Sequence, residues 1–139
     1  MKNEFKSPLR VELTGTQLFK LTSTLHYSNQ LYDFYIQEGF EFDGASIPKE
    51  LWSVYGCPFG ASYTLASCLH DILYSSHIFN KHQSDRIFYE AMIASGVERY
   101  IAIQLYLAVR TFGYTAYNEK QEIARHRDLI QITSKGKEW

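Results

Sequence analysis

Phe40-Glu41-Phe42-Asp43-Gly44-Ala45-Ser46-Ile47-Pro48 is the stretch where the hydrophobic pattern changes period. Up to Asp43 apolar and polar residues alternate, which is the signature of half-buried strands; after Pro48 they recur every three and four residues, which is helical. Proline suits a first helical turn, so the spacing predicts a short helix over Pro48 to Val54, closed before Gly56. Working back from the junction, Leu9, Val11 and Leu13 alternate with Arg10 and Glu12, and Leu18-Phe19-Lys20-Leu21 resumes after the turn Thr14-Gly15-Thr16. Leu25 and Tyr27 lead into Ser28-Asn29-Gln30, and Leu31 to Ile36 is dense in aromatic and β-branched types, broken by Gly39. These segments form a small antiparallel sheet of three to five strands.

Working forward, Leu65, Leu69, Ile72 and Leu73 mark a helix over Ala61 to Tyr74. Ser84 suits the N-cap of a helix carrying Ile87, Phe88, Ala91 and Met92, which Gly96 ends. Val97, Ile101, Leu105, Ala108 and Phe112 form the longest stripe, stopped at Gly113, and a more charged helix follows over Asn118 to Leu129. Strands then helices mean an α+β fold: a small N-terminal antiparallel sheet followed by four to five helices packed on one face. One domain is expected over 1–139, strand-rich over 8–43 and helical over 48–130, with a frayed tail over 134–139.

Composition narrows the classes. The 139 residues are 45% hydrophobic and 16% aromatic, enough for a proper core, and 14 basic residues against 15 acidic leave a net charge of −1. Non-specific nucleic-acid binding, which needs a positive surface, is therefore not expected. No apolar run approaches the length of a membrane span, and the charged N-terminus reads as no signal peptide. Cys57 and Cys68 are too few for a disulfide framework and read as reduced, partly buried thiols.

The chemistry concentrates in Cys68-Leu69-His70-Asp71-Ile72-Leu73-Tyr74. Neighbours on a helix lie about 100° apart, so His70 and Asp71 cannot serve one another, yet both can serve a site beside their two faces. Asp85 lies at the start of the next helix. If the two helices pack antiparallel, its carboxylate can accept the imidazole's second N–H, or it can simply be an acid favoured by the helix dipole. Tyr74, four residues after His70, can reach the same carboxylate. Asp43, at a strand end, can be a further ligand or the acceptor of a structural turn. Tyr55-Gly56-Cys57-Pro58-Phe59-Gly60 can turn carbonyls inward as a calcium loop does, or merely connect two helices.

Two resemblances meet on these residues. The order of Gly39 to Pro48, Trp52, His70-Asp71 with Tyr74, Asp85 and Arg110-x-Phe112-Gly113 resembles a domain-of-unknown-function family found in bacteriophages and prophages. That implies a phage or prophage origin, with the host cytoplasm or the virion as the place of action. Cys68-x-x-His70-Asp71-x-x-Tyr74 followed by Asp85-x-x-Phe88 is similar to the catalytic helices of secreted and viral calcium-dependent sn-2 phospholipases, although their disulfides are missing. The likeness implies His70 as general base, Asp71 as a metal ligand, Asp85 as the residue that orients His70, and Tyr74 as its support. A third likeness, to HD-domain phosphohydrolases, is confined to Leu69-His70-Asp71-Ile72.

Together these readings lead to a metal-assisted hydrolase of lipid or phosphate esters. His70, Asp85 and Tyr74 would be catalytic, Asp71 and Asp43 would hold the metal, and calcium would come first, with zinc or manganese second. The rival is a non-enzymatic phage accessory protein, a virion component or an inhibitor of a host protein. In that case the His-Asp cluster is structural, and the abundant Tyr and Phe rings face a partner.

Overall fold

The computed structural model describes residues 3–15, 18–43, 63–119 and 126–136. Its seven strands are β1 (Glu4–Phe5), β2 (Val11–Gly15), β3 (Leu18–Leu21), β4 (Leu25–Ser28), β5 (Tyr32–Ile36), β6 (Glu41–Phe42) and β7 (Ile130–Ser134). Among the described residues four helices lie between the last two strands: α1 (Tyr63–Ser76), α2 (Lys81–Ala94), α3 (Arg99–Phe112) and α4 (Tyr114–Glu119). The fold is α+β, as the change of period at Asp43 indicates. The expected Pro48–Val54 helix, Trp52, Cys57 and the loop from Tyr55 to Gly60 lie outside the described residues.

The strands build two antiparallel sheets rather than one, in the orders β1-β4-β5-β7 and β2-β3-β6. Alternation sets what each strand buries. On β5, Phe34 and Ile36 are buried while Asp33 and Tyr35 are only half-buried. Leu25 and Tyr27 of β4 join them in the core, and the second sheet adds Leu21 and Phe42, with Phe40 just ahead of β6. Against these pack Leu69, Ile72 and Leu73 of α1 and Ile87, Phe88, Ala91 and Met92 of α2. Helix α2 is central, touching α1, α3 and β1.

The C-terminal end differs from expectation. Of the charged helix expected over Asn118 to Leu129, Asn118 and Glu119 belong to α4, residues 120–125 lie outside the described residues, and Arg127–Leu129 form a 3-10 turn instead. Ile130, expected to end the helical region, and Ser134, expected to open the tail, are the first and last residues of β7, registered on β5 from Ile36↔Ile130 to Tyr32↔Ser134. Lys135 then ties the end down, its Nζ donating to Ser28 Oγ at 2.5 Å and to the Asn29 carbonyl at 2.7 Å. Ile130 and Ile132 alternate with Gln131 and Thr133, and the segment takes the edge that β5, distant in sequence, offers it.

Two helix details also shift. Helix α2 is capped by Asn80, not Ser84. The Asn80 side chain accepts from the Gln83 N–H at 2.8 Å, and Gln83 Oε1 accepts from the Asn80 N–H at 3.2 Å. This reciprocal pair satisfies two helix-end donors, while the Ser84 hydroxyl, already inside the first turn, donates to the Asn80 carbonyl. Asn80→Ala is expected to lower folding stability by about 1 kcal/mol, read as a lower urea midpoint at unchanged slope. On α3 the buried stripe is Ala102, Leu105 and Val109, whereas Phe112 is 67% exposed. This helix is apolar on two faces, so hydropathy alone does not choose which one packs inward.

Candidate functional site

Helices α1 and α2 are joined by Phe79 and its neighbours and pack against each other, which brings His70 to face Asp85. His70 Nε2 lies 2.9 Å from Asp85 Oδ1, and the Tyr74 hydroxyl donates to the same oxygen at 2.5 Å. The other oxygen, Oδ2, accepts from Lys81 Nζ at 2.7 Å. Lys81 also donates to the Val109 carbonyl at 2.7 Å and the Arg110 carbonyl at 3.3 Å, both in the last turn of α3. The ammonium is therefore held by a carboxylate and by the negative end of a helix dipole. The Tyr114 ring stands over it at 4.4 Å.

His70 and Asp85 side chains are fully buried and Lys81 is 9% exposed. The imidazole lies between Phe88, stacked at 4.3 Å, and Tyr74, tilted at 4.1 Å. Burial pushes the Asp85 carboxyl up, but the hydrogen bonds from His70, Lys81 and Tyr74 outweigh it and hold the group below its ordinary value. Asp85 is thus an anion at neutral pH. An anion accepts from Nε2–H, so Asp85 fixes that proton and the orientation of the ring. Burial, reinforced by the Asp85 charge, pushes the Tyr74 hydroxyl far up, so it remains a donor.

The structure therefore gathers three of the expected residues, His70, Asp85 and Tyr74, and adds Lys81, which the sequence reading passed over. Lys81 stands four residues before Asp85, a spacing that puts both on one helix face and was legible. Asp71 is buried beside the cluster but is not one of Asp85's partners; its charge adds to the burial that drives the Cys68 thiol upward. Asp43 follows β6, a strand that packs against α1, and is exposed. Among the described residues no three His, Cys, Asp or Glu side chains converge as a metal site. A hard cation takes six or more oxygens, so the described donors do not by themselves compose its site. A second His–Asp pair, His26 Nε2 to Asp33 Oδ1 at 2.9 Å, spans β4 and β5 apart from this cluster. The bond from His26 lowers the Asp33 carboxyl.

Gly113 closes the site from the α3 end. A Cβ there would meet the Val109 carbonyl oxygen and would stand 2.8 Å from the Tyr74 hydroxyl. Glycine is needed for that close approach and not for an unusual backbone.

The family described as "Protein of unknown function (DUF1353)" matches residues 19–109, which take in most of β3, the strands β4, β5 and β6 and the whole of α1 and α2. The chain belongs to this family. An uncharacterized protein, y4jT, of Sinorhizobium fredii is 36% identical over 97 residues, which are 69% of this chain and 29% of that protein. A second uncharacterized protein of the same organism, y4iH, is 37% identical over 97 residues, 67% of this chain and 40% of its own length. The DUF1353 chain thus spans well under half of these relatives. No solved structure matches it. No described helix is long and apolar enough to cross a membrane.

Proposed function

We propose that this DUF1353 chain is a hydrolase of lipid or phosphate esters in which His70 is the general base. The observation that carries the reading is the 2.9 Å contact from His70 Nε2 to an Asp85 carboxylate whose two oxygens are pinned by Tyr74 and Lys81. A fixed, ionised acceptor on one ring nitrogen sets the tautomer and makes the other nitrogen the proton acceptor. In the reaction His70 Nδ1 takes a proton from water as its oxygen attacks the ester carbonyl or phosphoryl centre. Asp85 stabilises the imidazolium that forms, and the proton then passes to the leaving alkoxide. A divalent cation, when bound, would polarise the ester oxygen; Asp71, and beyond it Asp43, belong to the proposal as its carboxylates. No step above depends on it. Phage or prophage origin and action in the host cytoplasm or virion belong to the same proposal.

One observation favours a second reading. His70 and Asp85 are wholly buried, and their network ties α1, α2 and the end of α3 together, as a structural cluster does. In that reading the chain is a non-enzymatic accessory protein that binds a host or virion protein. The hydrolytic reading requires the site to open transiently, as lids do.

Hydrolysis of dispersed phosphatidylcholine and of a nitrophenyl phosphodiester, measured with calcium, zinc, manganese or chelator, separates the two. Turnover should fall at least about a hundredfold in His70→Gln while the melting temperature stays within a few degrees. Absence of turnover on both esters in every ion condition would overturn the hydrolase.

A further inference from the structure

Strand β1 ends its sheet: β4 lies on one side of it, and no described strand lies on the other. Ladder bonds alternate along an antiparallel strand. The Lys6 N–H donates to the His26 carbonyl and the register pairs Glu4 with Ser28, so Glu4 and Lys6 turn their main chain toward β4. The N–H and C=O of Phe5 therefore point to the open side. A cleft of about 940 Å³ runs beside the strand, lined by residues 3–8 and, at the ends of α1 and α2, by Leu65 and residues 93–96. Among its lining residues, Asn3 has a buried side-chain oxygen with no hydrogen-bond partner.

Charge on an edge strand commonly guards it against pairing, but here the two signs favour one partner. Glu4 and Lys6 flank Phe5, lie 3.6 Å apart and are about half-exposed. Phe5 turns the other way, its ring 4.7 Å from that of Tyr27. In an antiparallel pairing with a second copy, centred on Phe5, Glu4 faces the second copy's Lys6 and Lys6 faces its Glu4. Those are the close, non-hydrogen-bonded positions of the ladder, where opposite charges attract most. At the centre the two Phe5 residues exchange two main-chain bonds. On the inner face the second copy's Phe5 ring enters the cleft beside Leu65, Ile93 and Ala94, and its Ser7 comes opposite Asn3. The Ser7 hydroxyl donates only at 3.4 Å, to the Thr24 carbonyl, and can turn to the unpartnered Asn3 oxygen. A parallel pairing would instead set Glu4 beside Glu4 and Lys6 beside Lys6.

We propose that the chain pairs with a second copy of itself through β1, two-fold about Phe5, joining two four-stranded sheets into one. The surface is self-complementary, as a two-fold interface requires: the same residues serve both sides, and each charge meets its opposite. The unpartnered Asn3 oxygen gains a donor, and the open main chain of Phe5 gains its partners. This pairing does not depend on the hydrolytic reading.

The test is sedimentation equilibrium of the whole chain over a range of concentrations, with hydrogen exchange read at the Phe5 amide. Wild type should form a reversible dimer, and the Phe5 amide should be protected only where the dimer is populated. Glu4→Lys and Lys6→Glu, each alone, set like charges opposite one another and should weaken the dimer about tenfold. Glu4→Lys combined with Lys6→Glu restores opposite charges in the same register and should recover it. An equal mixture of the two single variants should form the mixed dimer in preference to either homodimer. Both positions are exposed, so circular dichroism should be unchanged throughout. A monomer at every concentration would overturn the proposal, as would a Phe5 amide already protected in the monomer. So would single variants that the double variant fails to rescue, or a dimer that the single variants leave unchanged, such as one through the other edge strand, β7.

Discussion

Asp85→Ala will destabilise the fold by about 3–5 kcal/mol, the range found when one partner of a buried pair is removed. The loss exceeds that of one hydrogen bond because three donors converge on this carboxylate: His70 Nε2, the Tyr74 hydroxyl and Lys81 Nζ. Alanine leaves the Lys81 ammonium in the interior with only the Val109 and Arg110 carbonyls, and leaves two further polar groups of fully buried residues seeking partners. A melting temperature lower by about 10 °C or more is expected for a chain of this length. Replacing both members of the ion pair, Lys81→Met with Asp85→Leu, should recover much of the loss, since apolar groups of similar size need no counter-charge. A double variant no more stable than Asp85→Ala would contradict this account of the cluster. The pH dependence has a definite sign. Because the folded Asp85 carboxyl lies below its ordinary value of 3.8, its contribution is complete above the unfolded value and is lost as pH falls through the folded one. Acid unfolding of the wild type should therefore be steeper below about pH 4 than that of the double variant.

Gly113→Ala should cost about 2–3 kcal/mol, toward the upper end of what overpacking a well-filled interior costs. Elsewhere such a change stiffens the unfolded chain and stabilises slightly. Here the new methyl meets the Val109 carbonyl oxygen and the Tyr74 hydroxyl. The first is backbone that already accepts from Gly113 N–H and from Lys81. The second belongs to a ring pinned between His70 and Tyr117. Neither can retreat without disturbing Asp85. If the reading of His70 as base is right, Gly113→Ala lowers activity as well as stability, although its Cα carries no reacting group. Stability equal to or above wild type would show that Tyr74 is not held as tightly as described.

The pair His70 and Asp85 was legible because the helices that carry them are strongly periodic and their connection is short, so antiparallel packing followed. Tyr74 was legible from its place four residues after His70. Lys81 was not singled out because a lysine at a helix start reads as a solvated charge; only the α3 carbonyls, distant in sequence, make its burial tolerable. The Asn80 cap was readable from the three-residue spacing to Gln83, but Ser84 competed for the same role. On α3, Phe112 was placed inward because apolar residues cover two of its faces. In β7, the alternation of Ile130 and Ile132 was present but short and followed a charged stretch. Its strand state depends on β5, a partner far away in the chain. The expectation for Asp43 and Asp71 as metal ligands passes to the ion-dependence experiment.

That distant pairing has a consequence for biosynthesis. Tyr32 of β5 waits for Ser134 of β7, a partner about a hundred residues further along the chain. During translation the edge of β5 stays open until β7 has been made and has left the ribosome, well after every residue of the candidate site. Until then the nascent chain presents a raw strand edge, the form a cell's holdases and proteases recognise.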